Sequence, residues 1–163
     1  MDVKEAISVR KSIRKYQDKE ISEDIINELL DAARRAPSAR NTQSHKYFVV
    51  KGELIDKLKE KEVFKQPYIY TAPLIIVCCA DPSLYNSGEN YSLIDLSIAS
   101  SFLVLRATEL GLGSVFVGLI EREKIKEVLN ISKDFILPFV IPIGYPDENP
   151  VPKPKKEMKE IIF

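Results

Sequence analysis

Two periodicities organise the apolar residues of this chain. Ile25, Ile26, Leu29, Leu30 and Ala33 recur at helical spacing behind Ser22, a good N-cap, with Glu23 and Asp24 in the first turn where the helix dipole favours acids. Pro37 ends that helix, because proline disfavours helical backbone at the residue before it. Asp2 caps a short helix reaching about Val9, and Ile13 to Tyr16 reads as extended. His45 to Lys51 carries the strand signal Tyr47-Phe48-Val49-Val50, and Glu53 to Lys61 sets Leu54, Ile55 and Leu58 among charges as a surface helix. Leu74 to Ala80 is apolar throughout, the mark of a strand buried on both faces. Turn residues follow at Asp81-Pro82-Ser83 and Asn86-Ser87-Gly88.

Ser92 to Leu110 predicts the longest helix, closed by Gly111 at the position where a left-handed residue belongs. Ile94, Leu96, Ile98, Phe102, Leu103, Val104 and Leu105 surround most of it, and a helix apolar all round is a buried one. Asp95, Arg106 and Glu109, with Ser97, Ser100 and Ser101, argue against a membrane span. In so small a domain the remaining explanation is a second subunit covering one side. Ser114 to Gly118 reads as strand or turn, Arg122 to Leu129 as a surface helix, and Phe135 to Gly144 as a strand limited in pairing at Pro138 and Pro142. From Tyr145 the prolines 146, 150, 152 and 154 impose an extended tail, yet it ends in Ile161-Ile162-Phe163. Those three residues pack either on the chain's own core or on a partner. Helices and strands mix without a βαβ rhythm, which gives an α+β class and one domain over residues 1–163.

Composition narrows the function classes. With 24 basic and 24 acidic side chains the formal net charge is zero, which favours neither nucleic acid nor membrane as a general partner. Cys78 and Cys79 are adjacent within an apolar strand and read as buried hydrophobes rather than a bridge or redox pair. A single histidine, His45, leaves no His/Cys metal cluster, and is expected to be a satisfied structural or surface residue. The charged N-terminus lacks an apolar signal core, so a cytoplasmic location is expected. Neither GxGxxG after a strand, nor a P-loop, nor a nucleophile elbow is present.

Three segments carry candidate chemistry. In Arg10-Lys11-Ser12-Ile13-Arg14 the two guanidinium groups converge in helix or strand and suit a phosphate; equally, the run is a solvated basic end to the first helix. Pro37-Ser38-Ala39-Arg40-Asn41-Thr42-Gln43 offers amides able to read a heterocycle, or is a loop satisfying its own backbone. Lys153, Lys155 and Lys156 sit on a proline-spaced tail, able to complete a phosphate site or simply solvated.

Taken in order, these segments, with Gln66 before Ala72-Pro73-Leu74, then Glu109-Leu110-Gly111-Leu112-Gly113-Ser114-Val115-Phe116-Val117-Gly118 and Ile143-Gly144-Tyr145-Pro146, resemble the nitroreductase family of flavoproteins over nearly the whole chain. The resemblance implies an antiparallel-rich sheet flanked by helices, in a homodimer that exchanges its C-terminal tail, residues 145–163. It implies FMN as cofactor and NADH or NADPH as co-substrate, with hydride passing through flavin N5 to a small acceptor such as a nitroaromatic or quinone in ping-pong fashion. Other reactions of the fold, reductive dehalogenation or flavin breakdown, and a non-enzymatic flavin-binding dimer remain alternatives. By the same resemblance Arg10, Ser12, Lys153 and Lys155 hold the phosphate and Arg14 lies at the N1/O2 edge. Gln66, Val117 and Gly118 approach the ring, while Pro37, Ser38, Ala39 and Asn41 come from the other subunit. The chain departs from the pattern at Ser44-His45, where relatives often have proline and an aromatic, in its tail lysines where arginine is common, and in its shortness. No side chain is assigned as an acid or base.

Overall fold

A computed structural model describes residues 1–85 and 91–162; the turn expected at Asn86-Ser87-Gly88 and the terminal Phe163 lie outside them. Helix α1 (Val3–Val9) starts where the Asp2 carboxylate accepts the Glu5 N–H at 2.7 Å. In α2 (Glu23–Arg34) the Ser22 hydroxyl accepts from the Ile25 N–H at 3.4 Å. The other helices are α3 (Glu53–Glu60), α4 (Tyr91–Glu109) and α5 (Arg122–Leu129). Helix α4 ends in a Schellman motif: the Gly111 N–H bonds the Thr108 carbonyl at 3.0 Å and the Leu112 N–H bonds that of Ala107 at 2.8 Å, with Gly111 at φ 75°.

Strands β1 (His45–Val50), β2 (Leu74–Ala80), β3 (Gly113–Ser114) and β4 (Ile136–Gly144) form one antiparallel sheet in the order β1-β2-β4-β3. The architecture is α+β, as the pattern predicts. Every residue of β2 is buried because both sheet faces are covered. Leu74, Ile76, Cys78 and Ala80 pack with α2 and α4, while Ile75, Val77 and Cys79 pack with α3, α5 and the 3-10 turn Pro67–Thr71. Each large aliphatic so buried contributes about 1.5–3 kcal/mol.

Pro138 interrupts pairing as expected: the β2–β4 register shifts between Cys78 and Ala80, so that Phe139 and Ile136 bracket an extra β4 residue. Pro142 does not, for it stays in register opposite Ile75.

Two expectations can be set against the surface the single chain exposes. The single chain does not bury α4 all round. Leu96, Ala99 and Leu103 are fully buried, but Ile94 is 53% and Phe102 42% exposed. With Ile98 and Leu105 they form a stripe at i, i+4, i+8 and i+11 along one side. Phe102 and Leu105 line a groove of about 650 Å³ with Met1 and Val3. Nor do the terminal apolar residues pack on the chain's own core, since Ile161 and Ile162 are 57% and 61% exposed.

Candidate functional site

Arg10 is the C-cap of α1, its N–H bonded to the Ala6 carbonyl at 3.1 Å, and its backbone turns the chain from helix to extended. Ser12 then bridges Ser114, and the Ile13 N–H donates to the Ser114 carbonyl at 3.0 Å. The alternation of an extended chain follows: Ile13 goes in, while Ser12 is half-buried and Arg14 exposed. A Cβ added to Gly113 would lie 2.7 Å from the Ile13 side chain, so a glycine there lets this segment lie flat on β3. Arg10 opens into a groove of about 480 Å³ bounded by Thr108, Gly111, Leu112, Asn149 and Pro152. Among the described residues its guanidinium has no ion pair or hydrogen-bond partner.

The start of the tail is tied to this same segment. Lys11 Nζ donates to Asn149, the Arg14 N–H to the Glu148 carboxylate at 2.5 Å, and the Gln17 N–H to the Tyr145 carbonyl at 2.9 Å. Lys15 and Asp147 form an ion pair at 3.0 Å. Glu148, which reads in sequence as a surface acid, is therefore a fastening residue. The next stretch passes the Arg10 groove at Pro152, which brings Lys153 to its rim, while Lys155 lies further out in the exposed tail. Neither lysine makes an ion pair or hydrogen bond among the described residues.

The second predicted segment is a tight loop. Ser38 and Ala39 are half-buried; Pro37 and Asn41 are exposed. Arg40, Asn41 and Gln43 all have left-handed backbone, with φ between 52° and 56°. The loop is gripped from below by Asp95 of α4, 1% exposed, whose carboxylate accepts the Ala39 N–H at 2.9 Å, the Ser44 hydroxyl at 3.3 Å and the Tyr85 hydroxyl. Asp95 carries the one charge in the first turns of an apolar helix; read against a membrane span, that charge also marks a buried polar contact.

Gln66 caps the turn Pro67–Thr71, and its buried Oε1 has no hydrogen-bond partner among the described residues. The antiparallel bridge Phe64↔Ile120 joins the segment that leads into Gln66 to the segment that follows Gly118. The fold thus brings together residues that sequence holds far apart. Val117 exchanges both backbone hydrogen bonds with Val140, each 2.9 Å, and the carbonyl of exposed Gly118 accepts from Arg122 Nη2 at 3.0 Å, which leaves the Gly118 N–H as the backbone group a ligand could meet. His45 departs from expectation: its Nδ1 is buried without a partner, and burial, opposed by Asp95, holds its pKa below the usual value.

A family model described as "Putative TM nitroreductase" matches residues 2–163. The chain belongs to the nitroreductase family. This nitroreductase is 41% identical over 159 residues to a protein of Methanothermobacter thermautotrophicus named "Putative NADH dehydrogenase/NAD(P)H nitroreductase", covering 92% of this chain and 80% of that one. A protein of the same name from Archaeoglobus fulgidus is 37% identical over 147 residues, covering 87% and 84%. In structure it superposes on a protein of that name from Parabacteroides distasonis with a TM-score of 0.86 at 28% identity, covering 99% and 96%. As a member of the family the nitroreductase is an oxidoreductase. No group of three or more His, Cys, Asp or Glu side chains suited to a metal occurs among its described residues.

Two of the candidate segments lie far apart along α4. Asp95, under the 38–43 loop, and Thr108, at the Arg10 groove, stand thirteen residues apart on α4. At 1.5 Å per residue that is about 20 Å along the helix.

Proposed function

We propose that this nitroreductase binds FMN at the contact of two copies and moves reducing equivalents from NADH or NADPH to a small acceptor such as a nitroaromatic or quinone. The observation carrying the reading is the orphaned Oε1 of Gln66: a buried amide oxygen without a donor costs about 1–3 kcal/mol, and an N–H on a bound heterocycle would relieve it. The residues present fit the cofactor elsewhere too. Arg10, with Ser12 beside it and Lys153 at the rim, supplies charge and a hydroxyl for a phosphate. Lys155 extends that basic run, and Arg14 offers a cation for the ring edge. Val117 and Gly118 are the backbone assigned to the ring, on a segment that the Phe64↔Ile120 bridge joins to the one leading into Gln66.

Pro37, Ser38, Ala39 and Asn41 are assigned to the flavin bound chiefly by the other copy, because about 20 Å of α4 separates them from their own Arg10 groove. The stripe of exposed Ile94 and Phe102 with half-buried Ile98 and Leu105 is the surface the second copy covers. Residues 145–149 are fastened to their own chain and Pro152 still lines its Arg10 groove, so the exchanged part of the tail lies beyond Lys153 and carries Met158, Ile161 and Ile162 across. Two free, buried cysteines suit a reducing cytoplasm.

FMN, when bound, supplies the two-electron chemistry by which NAD(P)H and the acceptor are served in turn. The chain's own residues anchor, orient and shield it; none is needed as an acid or base. The test is a visible spectrum after FMN is added and the excess desalted away, followed by anaerobic NAD(P)H. One flavin retained per chain and bleached by NAD(P)H, with ping-pong kinetics, is the expected result. A folded dimer that neither retains nor titrates with FMN overturns the reading. Flavin bleached only by other reductants favours storage, and turnover of halogenated aromatics without nitro reduction favours dehalogenation.

A further inference from the structure

Asp95 is the most deeply buried acid of the described residues, on a helix whose neighbouring turns are apolar. Burying a carboxylate is costly unless its oxygens are satisfied, and here both are, by donors from one region of the molecule. Replacing it with an apolar residue would serve the core of α4 but would strip the Ala39 N–H of its acceptor. The loop above is unusual in the opposite way. Three of its residues, Arg40, Asn41 and Gln43, adopt left-handed backbone and none is glycine. Such conformations persist only where the surroundings over-determine them.

Most of the loop's hydrogen bonds are internal. The Asn41 N–H reaches the Ser38 carbonyl at 3.0 Å, the Thr42 hydroxyl the Ala39 carbonyl at 2.6 Å, and the Gln43 N–H the Ser38 hydroxyl at 3.0 Å. These fix the loop's shape but not its place. Among the described residues, its hydrogen bonds to the rest of the chain run to Asp95 and to Tyr85, whose hydroxyl lies 3.3 Å from the Ala39 carbonyl and itself donates to Asp95. The tether is on the inner side, and Arg40, Asn41 and Gln43 are left exposed on the outer.

We propose that Asp95 is a positioning residue for the flavin: its carboxylate holds the Ser38–Gln43 loop in the place from which Asn41 and its neighbours meet the FMN of a second copy. This rests on the flavin-binding role proposed for that loop. Asp95 touches no cofactor itself; it acts through Ala39, Ser44 and Tyr85, so its removal lowers flavin affinity without altering the redox step.

The test compares Asp95→Ala, Asp95→Asn and Asn41→Ala with the parent, reading FMN affinity by fluorescence quenching and trypsin cleavage after exposed Arg40 in the flavin-free protein. In Asp95→Ala, FMN affinity is expected to fall by about tenfold or more as preorganisation is lost, and cleavage after Arg40 to accelerate. Asp95→Asn keeps an oxygen for the Ala39 N–H and recovers most of both. A lower melting temperature with parental FMN affinity and parental cleavage assigns Asp95 to stability alone and overturns the proposal. Should Asp95→Ala not fold, Tyr85→Phe, which removes the second tether, is expected to shift both readouts the same way; no shift overturns it. Faster cleavage with unchanged affinity in Asp95→Ala, together with unchanged affinity in Asn41→Ala, removes the flavin reading of the loop itself. Loss of affinity in Asn41→Ala but not in Asp95→Ala removes only the positioning role.

Discussion

Gly113→Ala tests how closely the phosphate-binding segment depends on a contact far from any ligand. The new Cβ would lie 2.7 Å from Cβ, Cγ1 and Cγ2 of Ile13, where carbon atoms ordinarily stop at about 3.5–4.0 Å. A rotamer change offers little relief, because the Ile13 Cβ is itself one of the three atoms. The Ile13 backbone is tied by its N–H to the Ser114 carbonyl at 3.0 Å, and its side chain is 3% exposed and enclosed. Overpacking of this kind costs about 1–3 kcal/mol. Alanine returns about 0.4–1 kcal/mol by restricting the unfolded chain, since Gly113 has no left-handed backbone to lose. At the middle of both ranges the net loss is about 1.3 kcal/mol, read in urea or as a fall of about 3–5 °C in Tm. Relief must move residues 12–14 away from β3 and take Arg10 with them, so FMN affinity falls as well. Gly118→Ala is the control for stability, for its Cβ would meet only the Pro138 carbonyl at an ordinary 3.5 Å. A Gly113→Ala protein as stable as the parent, with parental flavin affinity, would refute the argument.

Arg10→Ala removes a charge-assisted phosphate contact and is expected to weaken FMN binding by about 1.5–3 kcal/mol in a fluorescence titration; undiminished affinity would move the phosphate elsewhere. Truncation after Asn149 spares the fastened residues 145–149 and removes the exposed remainder, so sedimentation should reveal a weaker dimer and desalting a lower flavin content. Stability should decline at alkaline pH. Burial pushes the Cys79 thiol up to about 12, and burial likewise raises Cys78, Tyr16 and Tyr47. The unfolded chain therefore loses these protons first, and stability present below the unfolded thiol value of 9.0 is lost progressively as pH climbs toward 12. Urea midpoints measured across that range should fall, and a flat profile would contradict the burial of these groups.

What the sequence disclosed was whatever depends on near neighbours. Asp2, Ser22 and Gly111 act on backbone groups within a few residues of themselves, and their helices begin and end where those residues predict. Strand β2 was equally plain, because a strand covered on both faces has no polar side to confuse the pattern. Contacts across the chain were not legible. Glu148 meets a backbone N–H 134 positions away and Asp95 one 56 positions away, and each looks locally like an ordinary charge. Gly113, beside Gly111, reads as part of the helix stop until Ile13 is placed against it. The family pattern implied that Pro37, Ser38, Ala39 and Asn41 serve the other subunit, but not what holds them apart from their own chain's Arg10 groove.

That last distinction comes from the length of one helix. Helix α4 runs unbroken through nineteen residues, Tyr91–Glu109, so the ends of the molecule it joins cannot fold toward each other. The loop it tethers near its start and the groove it borders near its end are held about 20 Å apart by the 1.5 Å rise. In the proposed dimer, one flavin touching both lies between two copies, with α4 of each supplying opposite ends. The stripe left exposed by Ile94, Ile98 and Phe102 lies on that same helix. On the proposed reading a single rigid element carries the dimer surface and spaces the two halves of the cofactor site. Weakening the dimer through this stripe, for instance by Phe102→Asp, should release flavin in proportion to dissociation even though no flavin-binding residue is changed. Flavin retained one per chain by a monomer of that variant would show that each chain completes its own site, and the divided-site argument would fall.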